Sequence, residues 1–243
     1  MVDRRTKLDA VDKVVTIMDE LCASSGPLSI REIERKTGVP RSTAHRFIAS
    51  LERREWIHRD GESDRYRPGI RFFLLQRNDS FYEELVRIAH PIMERLTKST
   101  KKTAIMSVLE RDVGLCLHSV EPPMSMKFVA HKGMKIPLDV GATGKVLLAF
   151  APERIRNDFL NSLRAERRRS LKTELDEIRE QGYAFSREEW ISHAGDISVP
   201  IWNTNGAFVA QLGIAGLVSS FDDREQELTQ QVKEAAGEIG QAL

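Results

Sequence analysis

Residues 37–51, Thr-Gly-Val-Pro-Arg-Ser-Thr-Ala-His-Arg-Phe-Ile-Ala-Ser-Leu, gather the side chains of this 243-residue chain best suited to hold a polyanion. Arg41, Ser42, Thr43, His45 and Arg46 supply cations and small hydroxyls, while Phe47, Ile48 and Leu51 recur at helical spacing and give an apolar face to anchor them. A helix fixed by one face with such residues over its first turns is built to enter the major groove of double-stranded DNA. Any short amphipathic helix after a turn shares part of this pattern, so its surroundings matter. Three more cations, Arg59, Arg65 and Arg67, flank Asp60-Gly61-Glu62-Ser63-Asp64, whose Asp-Gly is a hairpin turn signal. A hairpin there would be a wing placing arginines on the DNA backbone or minor groove. Ordinary arginines on a solvated hairpin are the alternative for each.

A second stretch, Gly141-Ala142-Thr143-Gly144-Lys145, has the look of a phosphate loop but fails its spacing. Asp139 stands where the first glycine belongs, and Val146 replaces the magnesium-binding hydroxyl. What remains is a small-residue turn at a helix start, where free N–H groups and the helix dipole suit a carboxylate. Along residues 207–216, alternation puts Phe208, Ala210, Leu212 and Ile214 on one face and Val209, Gln211, Gly213 and Ala215 on the other. Gly213 and Ala215 could floor a cavity or admit a closely packed helix, and both readings stay open. His118, His131 and His193 are scattered, which favours surface or hydrogen-bonded histidines over a metal site. Glu188-Glu189 lacks a companion nucleophile and reads as solvated charge. No GxSxG, HExxH, CxxC or GxGxxG signature is present, so no catalytic group, metal or cofactor is expected.

The elements that must position these residues follow from periodicity. Leu8, Val11, Val14, Val15, Met18, Leu21 and Cys22 predict a helix over 8–22 with one buried stripe. Ser29 with Glu32 forms a capping box for a short helix ending at Gly38, and Pro40 marks the break before the next, where Ser42 or Thr43 can cap or touch phosphate. Strand-like runs at 56–59 and 65–67 complete a winged helix. Pro68-Gly69 leads into a linker helix over 70–76, with a domain boundary near 78. A long helix over 80–99 contains Pro91, and three strand candidates follow at 103–109, 114–120 and 125–131. Helices are predicted at 141–150, 152–163 and 173–181, then strands at 183–186, 195–202 and 207–216 around an Asn-Gly turn, and a last helix opening at Asp222 with Glu225. The basic run 164–172 between helices reads as a solvated loop. The order describes a mostly antiparallel α+β domain behind the winged helix.

Composition narrows the class. The net charge is only +1, yet four arginines and one acid lie between Arg41 and Arg54, so positive charge is local to the motif. Cys22 and Cys116 have no paired spacing and read as small buried hydrophobes in a reducing compartment. No apolar run reaches the roughly 20 residues that span a bilayer, and Met1 to Lys7 are charged. A cytoplasmic protein without a membrane partner is expected.

The whole chain resembles the IclR family of bacterial transcriptional regulators. Four stretches carry the resemblance: Gly38 to Arg46 with Leu51, Trp56 and the segment Asp64 to Gly69; Ile136-Pro137-Leu138 leading to Ala142 through Ala149; Leu175 to Ser186 with Glu188 or Glu189 and Ile197 to Ile201; and Asn205 to Ala210. The resemblance implies a winged helix-turn-helix over 1–69, a linker helix over 70–79, and a GAF-like effector-binding and oligomerisation domain over 80–243. It implies homodimers or dimers of dimers acting on operator DNA, as repressors or activators, under a small organic acid or aromatic effector. On the family's pattern, the backbone of Gly141 and Ala142 matches the effector carboxylate site. Phe128 and Ile136 match apolar walls, and Ser186, Asp196, Gly213 and Ala215 match positions on the later strands. Family members that bind small acids carry hydroxyls where this chain has Gly213 and Ala215, and residues 190–196 depart from the usual pattern. A larger, aromatic effector is therefore expected, with Asp196 or His193 as its polar contact. The competing class is an enzyme or binding domain that keeps the winged helix only as an interaction module.

Overall fold

A computed structural model describes residues 9–60, 63–75 and 81–243, in two compact units that divide between residues 79 and 80. Leu8, the Gly61-Glu62 turn, Gln76, the expected boundary near 78 and Ser80 lie outside the described residues.

In the first unit, Asp9 opens α1 (Ala10–Ala23) by a reciprocal cap, accepting the Val11 and Asp12 N–H groups at 2.7 and 2.8 Å while Asp12 accepts its own N–H at 3.1 Å. Ile17 and Leu21 are buried, but Val11 and Val15 are 69% and 50% exposed and Cys22 is exposed. The expected stripe is therefore narrower, and Cys22 is a surface thiol. Only one line of α1 meets the rest of the unit. β1 (Leu28–Ser29) leads into α2 (Ile30–Thr37), where Ser29 and Glu32 form the expected box: the Ser29 N–H reaches Glu32 at 2.8 Å and the Glu32 N–H reaches the Ser29 hydroxyl at 3.3 Å. Gly38 ends α2 at φ 69°, a left-handed conformation suited to glycine. α3 (Arg41–Arg53) then starts from Pro40, whose carbonyl takes the Thr43 and Ala44 N–H groups at 2.9 Å; neither Ser42 nor Thr43 caps it. β2 (Ile57–Arg59) and β3 (Arg65–Pro68) pair antiparallel, with β1 on the other side of β3. Ile17, Ile33, Ala44, Ile48, Ile57 and Tyr66 form the core, and α4 (Ile70–Leu75) follows.

The second unit is one antiparallel six-stranded sheet in the order β6-β5-β4-β9-β8-β7. Its strands are β4 (Thr103–Glu110), β5 (Val113–Val120), β6 (Lys135–Ile136), β7 (Ala184–Arg187), β8 (Ala194–Trp202) and β9 (Phe208–Leu217). Alternation divides each strand between two faces. One face, with Met106, Val108, Ile197, Val199, Leu212 and Ile214, buries against α5 (Phe81–Thr100) and α9 (Glu225–Gln241). The other, with Asp196, Ser198, Gln211 and Gly213, is covered by α6 (Gly141–Ala149), beyond which lie α7 (Glu153–Ser162) and α8 (Ala165–Gln181). α6 packs so tightly on the segment that follows β6 that a Cβ on Gly144 would stand 1.9 Å from the Pro137 carbonyl oxygen.

Three expectations change. Residues 125–131 are not a strand: Pro122 and Pro123 interrupt the ladder, and the segment is held instead by hydroxyls, Thr103 Oγ1 donating to the Phe128 carbonyl at 2.5 Å and Ser119 Oγ to Ala130 at 2.7 Å. The basic run 164–172 is the start of α8, because Arg168 caps the end of α7 through the Leu160, Asn161 and Leu163 carbonyls at 2.9–3.1 Å. Asp222 does not cap the last helix. It pairs with Arg187 at 2.8 Å, and α9 begins after a 3-10 turn, Val218–Phe221.

Candidate functional site

Two sites emerge, one in each unit. In the first, Ala44 and Ile48 bury the inner face of α3, which leaves Arg41, Ser42, His45 and Arg46 exposed and Thr43 half-buried at its start. Among the described residues, no carboxylate lies within ion-pair distance of the Arg41, His45, Arg46 or Arg67 side chains, while Glu34 accepts the Arg41 backbone N–H at 2.9 Å, so the three arginines can meet phosphate or base edges. Arg46 lies 5.3 Å over the Phe47 ring. The other two wing arginines differ. Arg59 pairs with Asp64 across the hairpin. Arg65 spans back to the Pro27 carbonyl at 2.9 Å and to Glu32 at 3.1 Å, bracing the wing against the start of α2. The eight residues read from sequence thus separate into an unpaired set on α3 with Arg67 and a pair of exposed wing arginines, Arg59 and Arg65, that are held by carboxylates.

The second site is a pocket on the α6 face of the sheet, narrow in this structure. Ile105, Phe128, Met134, Ile136 and Ala215 make an apolar wall, Trp190 and Ile191 stand at the β7–β8 turn, and Thr143, Ser186 and Asp196 form a polar end. Of the expected residues, Phe128, Ile136, Ser186, Asp196 and Ala215 line it. Gly213 does not: a Cβ there would meet the Ile197 carbonyl oxygen and Ser198 Oγ at 2.5 Å and Gln211 Nε2 at 2.6 Å, so its smallness serves close packing. His193 points away, its ring exposed and 3.2 Å from Glu188. Ile105, Met134, Thr143, Trp190 and Ile191 were not legible as pocket residues, since they come from four different segments.

The start of α6 is already filled by the protein's own carboxylates. Asp196 reaches across from β8, Oδ1 accepting the Ala142 N–H at 3.2 Å and Oδ2 the Thr143 N–H at 2.9 Å. The Thr143 hydroxyl donates to Oδ2 at 3.1 Å, and Ser186 Oγ donates to Oδ1. Because a carboxylate only accepts, Thr143 has spent its proton, so Ser198 Oγ must donate to it at 3.0 Å while accepting from Gln211 Nε2 at 2.9 Å. A polar seam therefore runs from the pocket into the sheet. Beside it, Glu189 accepts the Gly141 N–H at 3.2 Å and meets Lys145 Nζ at 2.5 Å. Lys145 is only 8% exposed and holds a second carboxylate, Glu174, at 2.7 Å. Burial alone would raise the Glu174 carboxyl, but hydrogen bonds from Lys145, Ser170 and Arg167 outweigh it and hold it at about 2.

Glu189 is thus a paired carboxylate on an exposed turn and not only solvated charge, whereas Glu188 faces His193. The overlooked signal is Lys145 itself: one cation in a helix whose nine residues are all buried requires a buried counter-charge. The scattered histidines stay apart. His118 meets His90 at 2.9 Å, and burial, then His90 and Lys132, hold its imidazole below the usual range. Burial pushes the Cys116 thiol up to about 11, which keeps it unreactive. No described helix is long and apolar enough to cross a membrane.

Comparison with known proteins places both units. Residues 10–61 match the model of the IclR helix-turn-helix domain, and residues 82–241 match that of the bacterial transcriptional regulator IclR C-terminal region. The chain is 25% identical to the HTH-type transcriptional regulator XynR of Escherichia coli K12, over 97% of each chain. It is similar to the crystal structure of the Thermotoga maritima IclR, with 30% identity, a TM-score of 0.69 and 95% and 96% of the two chains covered. It also shares its fold with an IclR homologue from Microbacterium hydrocarbonoxydans solved with 4-hydroxybenzoate, at 22% identity, a TM-score of 0.82 and 96% and 98% coverage.

Proposed function

The chain belongs to the IclR family of bacterial transcriptional regulators, and from that premise we propose how it reads DNA and what it senses. α3 enters the major groove with Arg41, Ser42, Thr43, His45 and Arg46, and Arg67 holds the backbone from the wing. The observation that carries this is the row of exposed side chains on α3 without carboxylate partners, opposite the buried Ala44 and Ile48. Arg59 and Arg65 act mainly in shaping the wing. The protein works in the cytoplasm, where its operator lies, as a homodimer or dimer of dimers. Two α3 helices then meet successive major grooves roughly 34 Å apart.

The effector is a small carboxylic acid with an aromatic or comparably bulky apolar body. An apolar wall of Phe128, Met134 and Ile136 facing a polar end of Thr143, Ser186 and Asp196 supports an amphiphilic ligand. The homologue solved with 4-hydroxybenzoate has the same fold. Effector binding biases regulation only by favouring one arrangement of the chain over another, and the covalent path from pocket to α3 runs through residues 70–96. A thermal-shift screen of carboxylic and aromatic metabolites tests the reading. A true effector at 100 times its Kd adds roughly 2.7 kcal/mol of stability, and tightest binding by an acid the size of glyoxylate would sink the claim of a bulky body.

A further inference from the structure

The proposed acid must reach a helix start whose N–H groups are all in use, and the two carboxylates there are held very differently. Asp196 has four donors, from Ala142, Thr143 and Ser186, and sits on a strand paired on both sides. Glu189 lies in the turn between β7 and β8 and, among the described residues, holds the Gly141 N–H at 3.2 Å and Lys145 at 2.5 Å and no other polar group. Those are the groups an external carboxylate would use: a backbone donor and a buried cation. If Glu189 leaves, Lys145 still has Glu174 at 2.7 Å, so no buried ammonium is left unpaired.

The turn that carries Glu189 also carries part of the pocket wall. Trp190 and Ile191 line the cavity yet are 38% and 43% exposed. The turn begins and ends on left-handed residues other than glycine, Glu188 at φ 57° and His193 at φ 62°, a conformation that residues with a Cβ take up reluctantly. Charge points the same way. Glu174 and Glu189 already share Lys145, and the Asp196 carboxylate occupies the next two N–H groups of the helix start, so an added anion meets carboxylates already in place, whereas an exchange for Glu189 leaves the number of carboxylates there unchanged.

We propose that Glu189 is a built-in competitor for the effector: an incoming carboxylate takes the Gly141 N–H and the Lys145 ammonium from it, Asp196 stays in place, and the β7–β8 turn opens as the door of the pocket. The exchange rests on the acid-effector reading above; the latch itself does not.

The test uses the full chain, Glu189→Gln, and Glu188→Gln as a control at the residue that faces His193. Each is titrated calorimetrically with 4-hydroxybenzoate and with neutral 4-hydroxybenzamide, and amide hydrogen exchange is followed without ligand. Removing the competitor tightens 4-hydroxybenzoate by about tenfold or more in Glu189→Gln and the amide by less than about twofold, while Glu188→Gln behaves as the parent. Without ligand, the Gly141 amide and those of residues 190–193 exchange about tenfold faster or more in Glu189→Gln, with Ala142 and Thr143 unchanged. Equal or weaker 4-hydroxybenzoate binding by Glu189→Gln overturns the exchange. If no variant binds either compound, the acid-effector reading fails for this ring, and hydrogen exchange alone decides the latch: unchanged rates at Gly141 and the turn overturn it.

Discussion

Asp196 accepts from Thr143 twice on one oxygen, the backbone N–H at 2.9 Å and the hydroxyl at 3.1 Å, and so ties the first turn of α6 to the pocket face of the sheet. Replacing Asp196 by Ala strands the Ala142 and Thr143 donors and the Ser186 hydroxyl, at an expected cost of about 3 kcal/mol. Asp196→Asn keeps an acceptor and costs about 1 kcal/mol. Urea denaturation with an unchanged slope checks both values. Equal stability of all three proteins would detach Asp196 from the cap.

The partners seen at the winged helix sort its arginines by effect. Arg46→Ala is expected to weaken binding to a selected duplex by roughly 1–3 kcal/mol if it reads a base, and Arg67→Ala to lower the salt slope by about one phosphate contact. Arg65→Ala, which breaks the brace to Pro27 and Glu32, shifts stability by about 1 kcal/mol and binding less. Fluorescence anisotropy across a salt series, beside thermal melts, separates the three. A binding loss for Arg65→Ala as large as for Arg46→Ala, with no change in stability, would reassign it to the DNA contact.

The depressed Glu174 carboxyl gives a pH signature. Its folded-state value of about 2 lies below the ordinary 4.5, so its stabilising contribution is complete above about pH 4.5 and fades as pH falls towards 2. The stability difference between the parent and Glu174→Gln is expected to be constant near neutral pH and to shrink across that window. A difference that grows on acidification would contradict the Lys145–Glu174 pairing.

Within the sheet, Ser107 and Gln211 are paired across β4 and β9, and the Ser107 hydroxyl and Gln211 Oε1 are buried without a partner. Ser107→Ala removes one unsatisfied group, so it is expected to be neutral or stabilising by up to about 1 kcal/mol. A loss above about 1 kcal/mol in chemical denaturation would mean that the hydroxyl has a bound partner, such as a buried water.

Much of the first unit was legible because its signals are local. Ser29 with Glu32, Gly38 and Pro40 each act within four residues, and a capping box or a left-handed turn is written in contiguous sequence. The alternation in β9 likewise sorted Leu212 from Gln211. The pocket was only partly legible, because its wall draws on segments far apart in the chain. Gly213 and Ala215 look alike in sequence, yet one abuts Gln211 and Ser198 and the other faces the cavity, a difference set by neighbouring strands. Charge misled twice for one reason. Glu189 and the 164–172 run both read as solvated, but their partners, Lys145 and the end of α7, lie tens of residues or five to eight residues away, where sequence alone gives no distance.

The measurement that bears most directly on the central claim is selection of the full chain on random double-stranded DNA, followed by anisotropy on the enriched duplex with the parent and Arg46→Ala. The account predicts an enriched sequence with two inverted half-sites, bound about a thousandfold or more tighter than random duplex, with that preference cut by Arg46→Ala. Binding that stays equal on selected and random DNA, or a preference that Arg46→Ala leaves intact, would contradict α3 as the reader.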